Sequence, residues 1–135
     1  MGSTFTRYKT PAFVNLDYKP TFTWHLLRKD FEQALKHTTI FSDSFQKVRL
    51  TFTPKKNTLS LYAHNSDVGE SIEVITGQVS GNPLDLSFNH RYLSSILSLT
   101  SADSLSFTAA GIGRPLIIKG VSDTSLLYLV SPMNQ

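Results

Sequence analysis

The chain has 135 residues, 40% of them hydrophobic and 17% charged, and no cysteine. That length predicts one domain, large enough to bury about two-thirds of its unfolded surface, and the composition is far from that of a disordered segment. Disulfides and thiolate metal sites are excluded, no apolar run reaches the roughly 18 residues of a membrane span, and no signal-peptide pattern opens the chain, so a reducing, cytoplasmic setting is the expectation. The net charge of +3 is unevenly placed. Arg7, Lys9, Lys19, Arg28, Lys29 and Lys36 face only Asp17, Asp30 and Glu32 in the first 37 residues, while the remainder balances. A basic surface near the first helix follows, although a solubilising helix face has the same composition and the excess alone is too small for a nucleic-acid footprint.

In chain order, Met1-Gly2-Ser3 reads as an expression remnant, and residues 1–20 as that remnant plus an arm or linker, irregular and broken by Pro11 and Pro20. Thr21 to Leu26 alternates as a strand. Leu27, Phe31, Ala34 and Leu35 then fall at helical spacing, which predicts a helix over Arg28 to His37. Ile40 and Phe41 follow as an apolar pair beside the turn-like Ser42-Asp43-Ser44. Strands are predicted at Phe45 to Phe52, Leu59 to Ala63 and Glu70 to Thr76, with Pro54-Lys55-Lys56-Asn57 as a hairpin turn. After the turn Ser80-Gly81-Asn82-Pro83 the order recurs: a strand at Leu84 to Phe88, Asn89 as N-cap, and a helix with the stripe Leu93, Ile96, Leu97. Strands at Ser104 to Thr108, Pro115 to Lys119 and Ser125 to Val130 complete it.

Leu26, Lys29, Phe31 and Leu35 recur at one constant spacing as Phe88, Arg91, Leu93 and Leu97. The expected architecture is α+β: a domain over residues 21–135 made of two strand-helix-three-strand repeats, about 21–80 and 84–135. It would hold two four-stranded antiparallel sheets, with two helices on one side.

The last strand ends in Ser131-Pro132-Met133-Asn134-Gln135. The proline stops further strand pairing and leaves an apolar rim. Catalytic and metal signatures are missing from the sequence: His25, His37, His64 and His90 lack ligand spacing, and Gly111-Ile112-Gly113-Arg114-Pro115 is too short for a phosphate cradle. Ser42-Asp43-Ser44 near His37 has no Gly-x-Ser-x-Gly elbow to make it a hydrolase site. No cofactor and no enzymatic activity are therefore expected, the alternative being a stand-alone α+β small-ligand-binding or hydrolytic domain.

Phe88-Asn89-His90-Arg91-Tyr92-Leu93, Thr108 with Arg114-Pro115-Leu116-Ile117-Ile118, and Tyr128-Leu129-Val130-Ser131-Pro132-Met133 resemble the C-terminal third domain of the bacterial DNA polymerase III beta subunit, the sliding clamp. Pro11-Ala12-Phe13-Val14-Asn15-Leu16 is similar to the segment that links the second and third clamp domains. The resemblance implies a processivity factor: two three-domain subunits joined head to tail as a homodimeric ring around duplex DNA. DNA polymerases, the clamp loader and repair proteins would be tethered by peptide motifs. It implies a peptide pocket of Pro11, Leu16, Phe45, Asn89, Tyr92, Pro115, Leu129, Val130, Ser131, Pro132 and Met133, in which Ser131 and Asn134-Gln135 depart from the commoner tail. DNA-facing residues would be Arg28, Lys29 and Arg91, and the subunit interface Ile40, Phe41, Glu70 and Glu73. A chain of one such domain is expected to be monomeric.

Overall fold

The computed structural model describes residues 5–9, 22–109, 115–121 and 126–133. In chain order these form β1 (Phe5–Lys9), β2 (Phe22–Leu27), α1 (Arg28–Thr39), β3 (Lys47–Thr53), β4 (Thr58–Asn65), β5 (Gly69–Thr76), β6 (Gln78–Gly81), β7 (Leu84–Asn89), α2 (His90–Leu99), β8 (Ser104–Ala109), β9 (Leu116–Gly120) and β10 (Leu126–Val130). All pairings are antiparallel, in two sheets ordered β1-β10-β9-β8-β2-β6 and β5-β4-β3-β7. The α+β architecture with two antiparallel sheets and two helices is as expected. One sheet has six strands rather than four, because β1 and β6 extend it at either edge.

The two repeats exchange their first strands. β2 of the first repeat pairs with β8 of the second, and β7 of the second pairs with β3 of the first. Neither half can therefore complete a sheet alone. The repeat holds atom for atom where the helices begin: the backbone N–H of Arg28 donates to the Asp103 carbonyl at 2.8 Å, and that of its counterpart His90 to the Gln46 carbonyl at 2.8 Å. The same equivalence runs across the sheets, where the row Leu86, Leu50, Leu61, Glu73 matches the row Trp24, Phe107, Ile118, Tyr128.

Strand alternation sends one face of each sheet inward. In β3 that face is Val48, Leu50 and Phe52, in β4 Leu59, Leu61 and Ala63, and in β8 Leu105 and Phe107, all buried. The helices cover this interior with Phe31, Ala34, Leu35 and Thr38 of α1 and Leu93, Ile96 and Leu97 of α2. Thr38 lies mid-stripe, and its hydroxyl is satisfied by the Ala34 carbonyl at 2.7 Å. Leu27, which the spacing assigned to the apolar stripe, is instead the exposed N-cap of α1, because the residue before a helix keeps extended backbone and still follows the strand's alternation. Asn89 caps α2 as expected, its Oδ1 accepting from the Arg91 N–H at 2.9 Å. The Pro54–Lys56 turn is one turn of 3-10 helix closed by Asn57 in the left-handed region (φ 52°), which asparagine tolerates.

Candidate functional site

The tail after β10 joins the two sheets. Alternation along β10 buries Tyr128 and Val130 and leaves Leu129 half-exposed. Beyond Val130 the chain leaves the six-stranded sheet, and the Met133 N–H donates to the Ser87 carbonyl of β7 at 2.7 Å. β7 is the outer strand of the other sheet, paired on its inner side with β3, so Met133 bonds to its open edge. Pro132 has no N–H to continue a ladder. Ser131, Pro132 and Met133 are therefore held by backbone while their side chains stay half-exposed.

Strand register and chain neighbourhood set several of the expected pocket residues toward the same end of the sheets as this lip. Pro115 precedes Leu116, the partner of Val130, and so comes level with Ser131. Asn89 and Tyr92 stand one helical turn apart at the start of α2, two and five residues beyond Ser87, and Tyr92 packs half-buried on the core. Phe45 lies just before Lys47, which pairs with Asn89, and it is 71% exposed. The sequence placed Phe45 inside β3, but the strand begins at Lys47 and Phe45 sits in a turn. Val130 is a correction: with no exposed surface it belongs to the core and supports the lip from beneath. Pro11 and Leu16 lie outside the described residues, as do Asn134 and Gln135.

The loop carrying Phe45 is braced by residues that the sequence reading did not select. Asn65 Nδ2 donates to the Ser42 carbonyl at 3.1 Å, and Ser42 Oγ lies 3.2 Å from His90 Nε2. Burial, with Arg91 adding to it, holds the His90 imidazole below its ordinary pKa against the opposing pull of Asp43, which favours the neutral ring at neutral pH. The Asp43 carboxylate accepts the N–H groups of Phe45 (2.9 Å) and Lys47 (3.4 Å). This is turn bracing rather than a relay: the serine's imidazole partner is His90, not His37, and Asp43 serves the backbone. The Ser87 carbonyl's role and the Ser42 contact of His90 carried no signal in the sequence because their partners lie far along the chain. Among the described residues no group of three or more His, Asp or Glu is placed to hold a metal ion, and no helix is long and apolar enough to cross a membrane.

Of the expected DNA-facing cations, Lys29 and Arg91 are exposed on the first turns of their helices. Arg28 is half-buried and committed: its Nε donates to the Ala102 carbonyl at 3.1 Å, and Nη1 lies 3.6 Å from Glu32. At the expected interface Ile40 is 68% exposed and Phe41 half-exposed. Val68 (58%), Ile72 (60%) and Val74 (59%) add exposed apolar surface on and beside β5, the outer strand of its sheet. Glu70 accepts from the Tyr62 hydroxyl at 2.7 Å, and Glu73 turns toward α1, where it lies 3.4 Å from His37 Nδ1.

The model of the family described as DNA polymerase III beta subunit, C-terminal domain, matches residues 21–134. The beta sliding clamp of Synechococcus elongatus is 27% identical over 107 residues, covering 78% of this chain and 28% of the relative, and that of Streptococcus pneumoniae 23% identical over 126 residues, covering 92% and 33%. The chain thus spans about a third of the length of these curated relatives. Among solved structures, the DNA polymerase III beta subunit of Pseudomonas aeruginosa superposes with a TM-score of 0.82 at 21% identity, over 89% of this chain and 32% of that one. That of Thermotoga maritima does so with a TM-score of 0.82 at 18% identity, over the same shares. With the strand-exchanged repeat and a family match over almost all of residues 21–135, the chain belongs to the sliding clamp family, as a C-terminal domain of the DNA polymerase III beta subunit.

Proposed function

We propose that this domain docks linear peptides at the lip formed by the β10 tail, and that it does so as one of six like domains in a ring around duplex DNA. The observation that carries the reading is the Met133–Ser87 hydrogen bond, which fixes the tail across the seam, two residues along β7 from Asn89, while leaving the Pro132 and Met133 side chains half-exposed. An apolar edge held open in this way suits leucine and phenylalanine anchors. Two or three of them at roughly 1.5–3 kcal/mol each, less the cost of ordering a flexible peptide, give micromolar binding. Attachment of that strength exchanges readily, which suits many partners used in turn: polymerases, a clamp loader and repair proteins. Tethering, not catalysis, is the role, and a replication protein of this kind works in the cytoplasm.

A fluorescent peptide of the Gln-Leu-x-Leu-Phe type titrated into the protein should bind saturably. Met133→Ala with Tyr92→Ala should weaken binding at least about tenfold, the loss expected for two truncated anchor contacts. No binding to the unaltered chain up to millimolar peptide would sink the assignment.

On the ring reading, Ile40, Phe41 and the β5 edge with Glu70 and Glu73 meet the first domain of another subunit, and α1 and α2 face DNA. Two or three phosphate contacts from Lys29, Arg91 and the remaining exposure of Arg28 give a log-log salt slope of only about −2 to −3, so retention on DNA comes from ring closure. Anisotropy with a labelled duplex should show weak binding by this chain that vanishes near physiological salt. Nanomolar affinity there would contradict the topological account.

A further inference from the structure

The outward face of the four-stranded sheet carries a cleft beside the lip. Alternation turns Val48 and Leu50 of β3 inward and sends Lys47 and Arg49 to the opposite face. Arg49 pairs with Tyr62 of β4, so Tyr62 and, two residues on, His64 share that face. With Asp43 of the preceding turn these four residues line a cleft of about 190 Å³.

Its polar groups are unequally satisfied. The Arg49 guanidinium donates to Asp85 through Nε (2.7 Å) and Nη2 (2.5 Å), the Tyr62 hydroxyl donates to Glu70 at 2.7 Å, and the Asp43 carboxylate accepts the N–H groups of Phe45 and Lys47. The Lys47 ammonium and the His64 ring have no hydrogen-bond or ion-pair partner among the described residues. Every carboxylate at the cleft is thus engaged while two donors stand open, and the lining holds two fixed cations, Lys47 and Arg49, against the single carboxylate of Asp43. What the cleft lacks is a negatively charged acceptor. Its position is continuous with the lip: Lys47 pairs with Asn89, and Arg49 with Ser87, whose carbonyl holds Met133. From β7, where the tail is fixed, to β4, which carries His64, is two strand spacings, about 10 Å, the length of about three residues of extended peptide.

We propose that this cleft is a carboxylate subsite, in which the Lys47 ammonium and the His64 N–H take an Asp or Glu side chain lying within about three residues of the apolar anchors of a docked peptide. The inference deepens the proposed function and rests on peptide docking at the lip. Its consequence is selection among partners: an acidic flank binds more tightly than a neutral one. Both donors border solvent, so each pair strengthens binding only about two- to fivefold.

The test titrates two peptides of the Gln-Leu-x-Leu-Phe type at 0.1 M salt, one flanked on both sides by Ser-Gly and the other by Asp-Asp. The acidic peptide should bind the unaltered chain about three- to tenfold more tightly, and this ratio should fall below about twofold in Lys47→Gln with His64→Gln. Lys55→Gln removes the same charge about 20 Å away, at the far end of β3 and beyond the roughly 10 Å screening length, and should keep the full ratio. The His64 ring proton resonances of the unaltered chain should shift on adding the acidic peptide and not the neutral one, a readout that needs no variant. Binding of the neutral peptide with no acidic gain would overturn the subsite alone, as would unmoved His64 resonances or a gain lost equally in Lys55→Gln. Failure of both peptides to bind would overturn the lip and the subsite with it.

Discussion

Phe52→Ala should cost about 3–5 kcal/mol, the range for emptying a fully buried phenylalanine site, against a total stability of roughly 5–15 kcal/mol. Phe52 has no exposed surface and sits where the two sheets meet. It belongs to β3, while its ring neighbours belong to the other sheet: Phe22 at 4.4 Å and Trp24 at 5.7 Å from β2, and Phe107 at 6.3 Å from β8. Because the repeats exchange their first strands, this cluster also holds the two halves of the chain together. A thermal melt followed by Trp24 emission should shift down by roughly 10–20 °C at about 3–5 °C per kcal/mol for a chain of this length. Phe52→Leu, which keeps most of the volume, should recover more than half of the loss. Phe45→Ala offers the contrast: at 71% exposure it should leave the melt nearly unchanged and weaken peptide binding. Equal destabilisation by both alanines would contradict the division between core and docking surface.

The distinction between those two phenylalanines shows where the sequence was legible. Phe52 ends a clear alternation with Val48 and Leu50, and a two-residue period reports which side of a strand is buried. Helix stripes were readable for the same reason: Phe31, Leu35, Leu93 and Leu97 recur at matched positions because both helices cover equivalent rows of the same core. Phe45 sits in a turn, where no period applies. Nor did the pattern distinguish Val130, which is core, from Leu129, which is half-exposed, since a run of consecutive apolar residues has no alternation to read. β1 and β6 escaped because both are short edge strands with mixed composition, created by partners more than 50 residues away in sequence. The tail's acceptor, Ser87, was hidden likewise: it is a backbone carbonyl, and carbonyls leave no mark on the sequence. Resemblance to a family pointed to the tail, but the bond that holds it, from Met133 to Ser87, exists only once the two sheets are folded together.

Gly77→Ala should be nearly as damaging as Phe52→Ala, though it adds a single methyl group. Gly77 is the corner at which the chain leaves β5, on the edge of one sheet, and enters β6, on the edge of the other. Its N–H donates to the Asn57 carbonyl at 3.1 Å, and a Cβ built on it would lie 2.5 Å from the His25 carbonyl oxygen and 3.1 Å from the Trp24 ring. A flexible side chain in the way could swing aside at little cost. Here the obstacle is backbone in β2, which is hydrogen-bonded on both sides, to β6 and β8. Relief requires β6 to move off β2, and that movement loosens the ladder beside His25 and the packing of the indole, whose Nε1 is already buried with no hydrogen-bond partner among the described residues. Overpacking of this kind costs typically 1–3 kcal/mol and more where backbone must shift, so a loss of about 3 kcal/mol and a melt lowered by roughly 10 °C are expected. Ser80→Ala, an exposed change on the same short strand, is the control and should stay within about 0.5 kcal/mol of the unaltered chain. Hydrogen exchange locates the damage: in Gly77→Ala the amides shared by β2 and β6 should lose protection before those of β3 and β4. Uniform loss across both sheets would show that the corner is not where the strain enters.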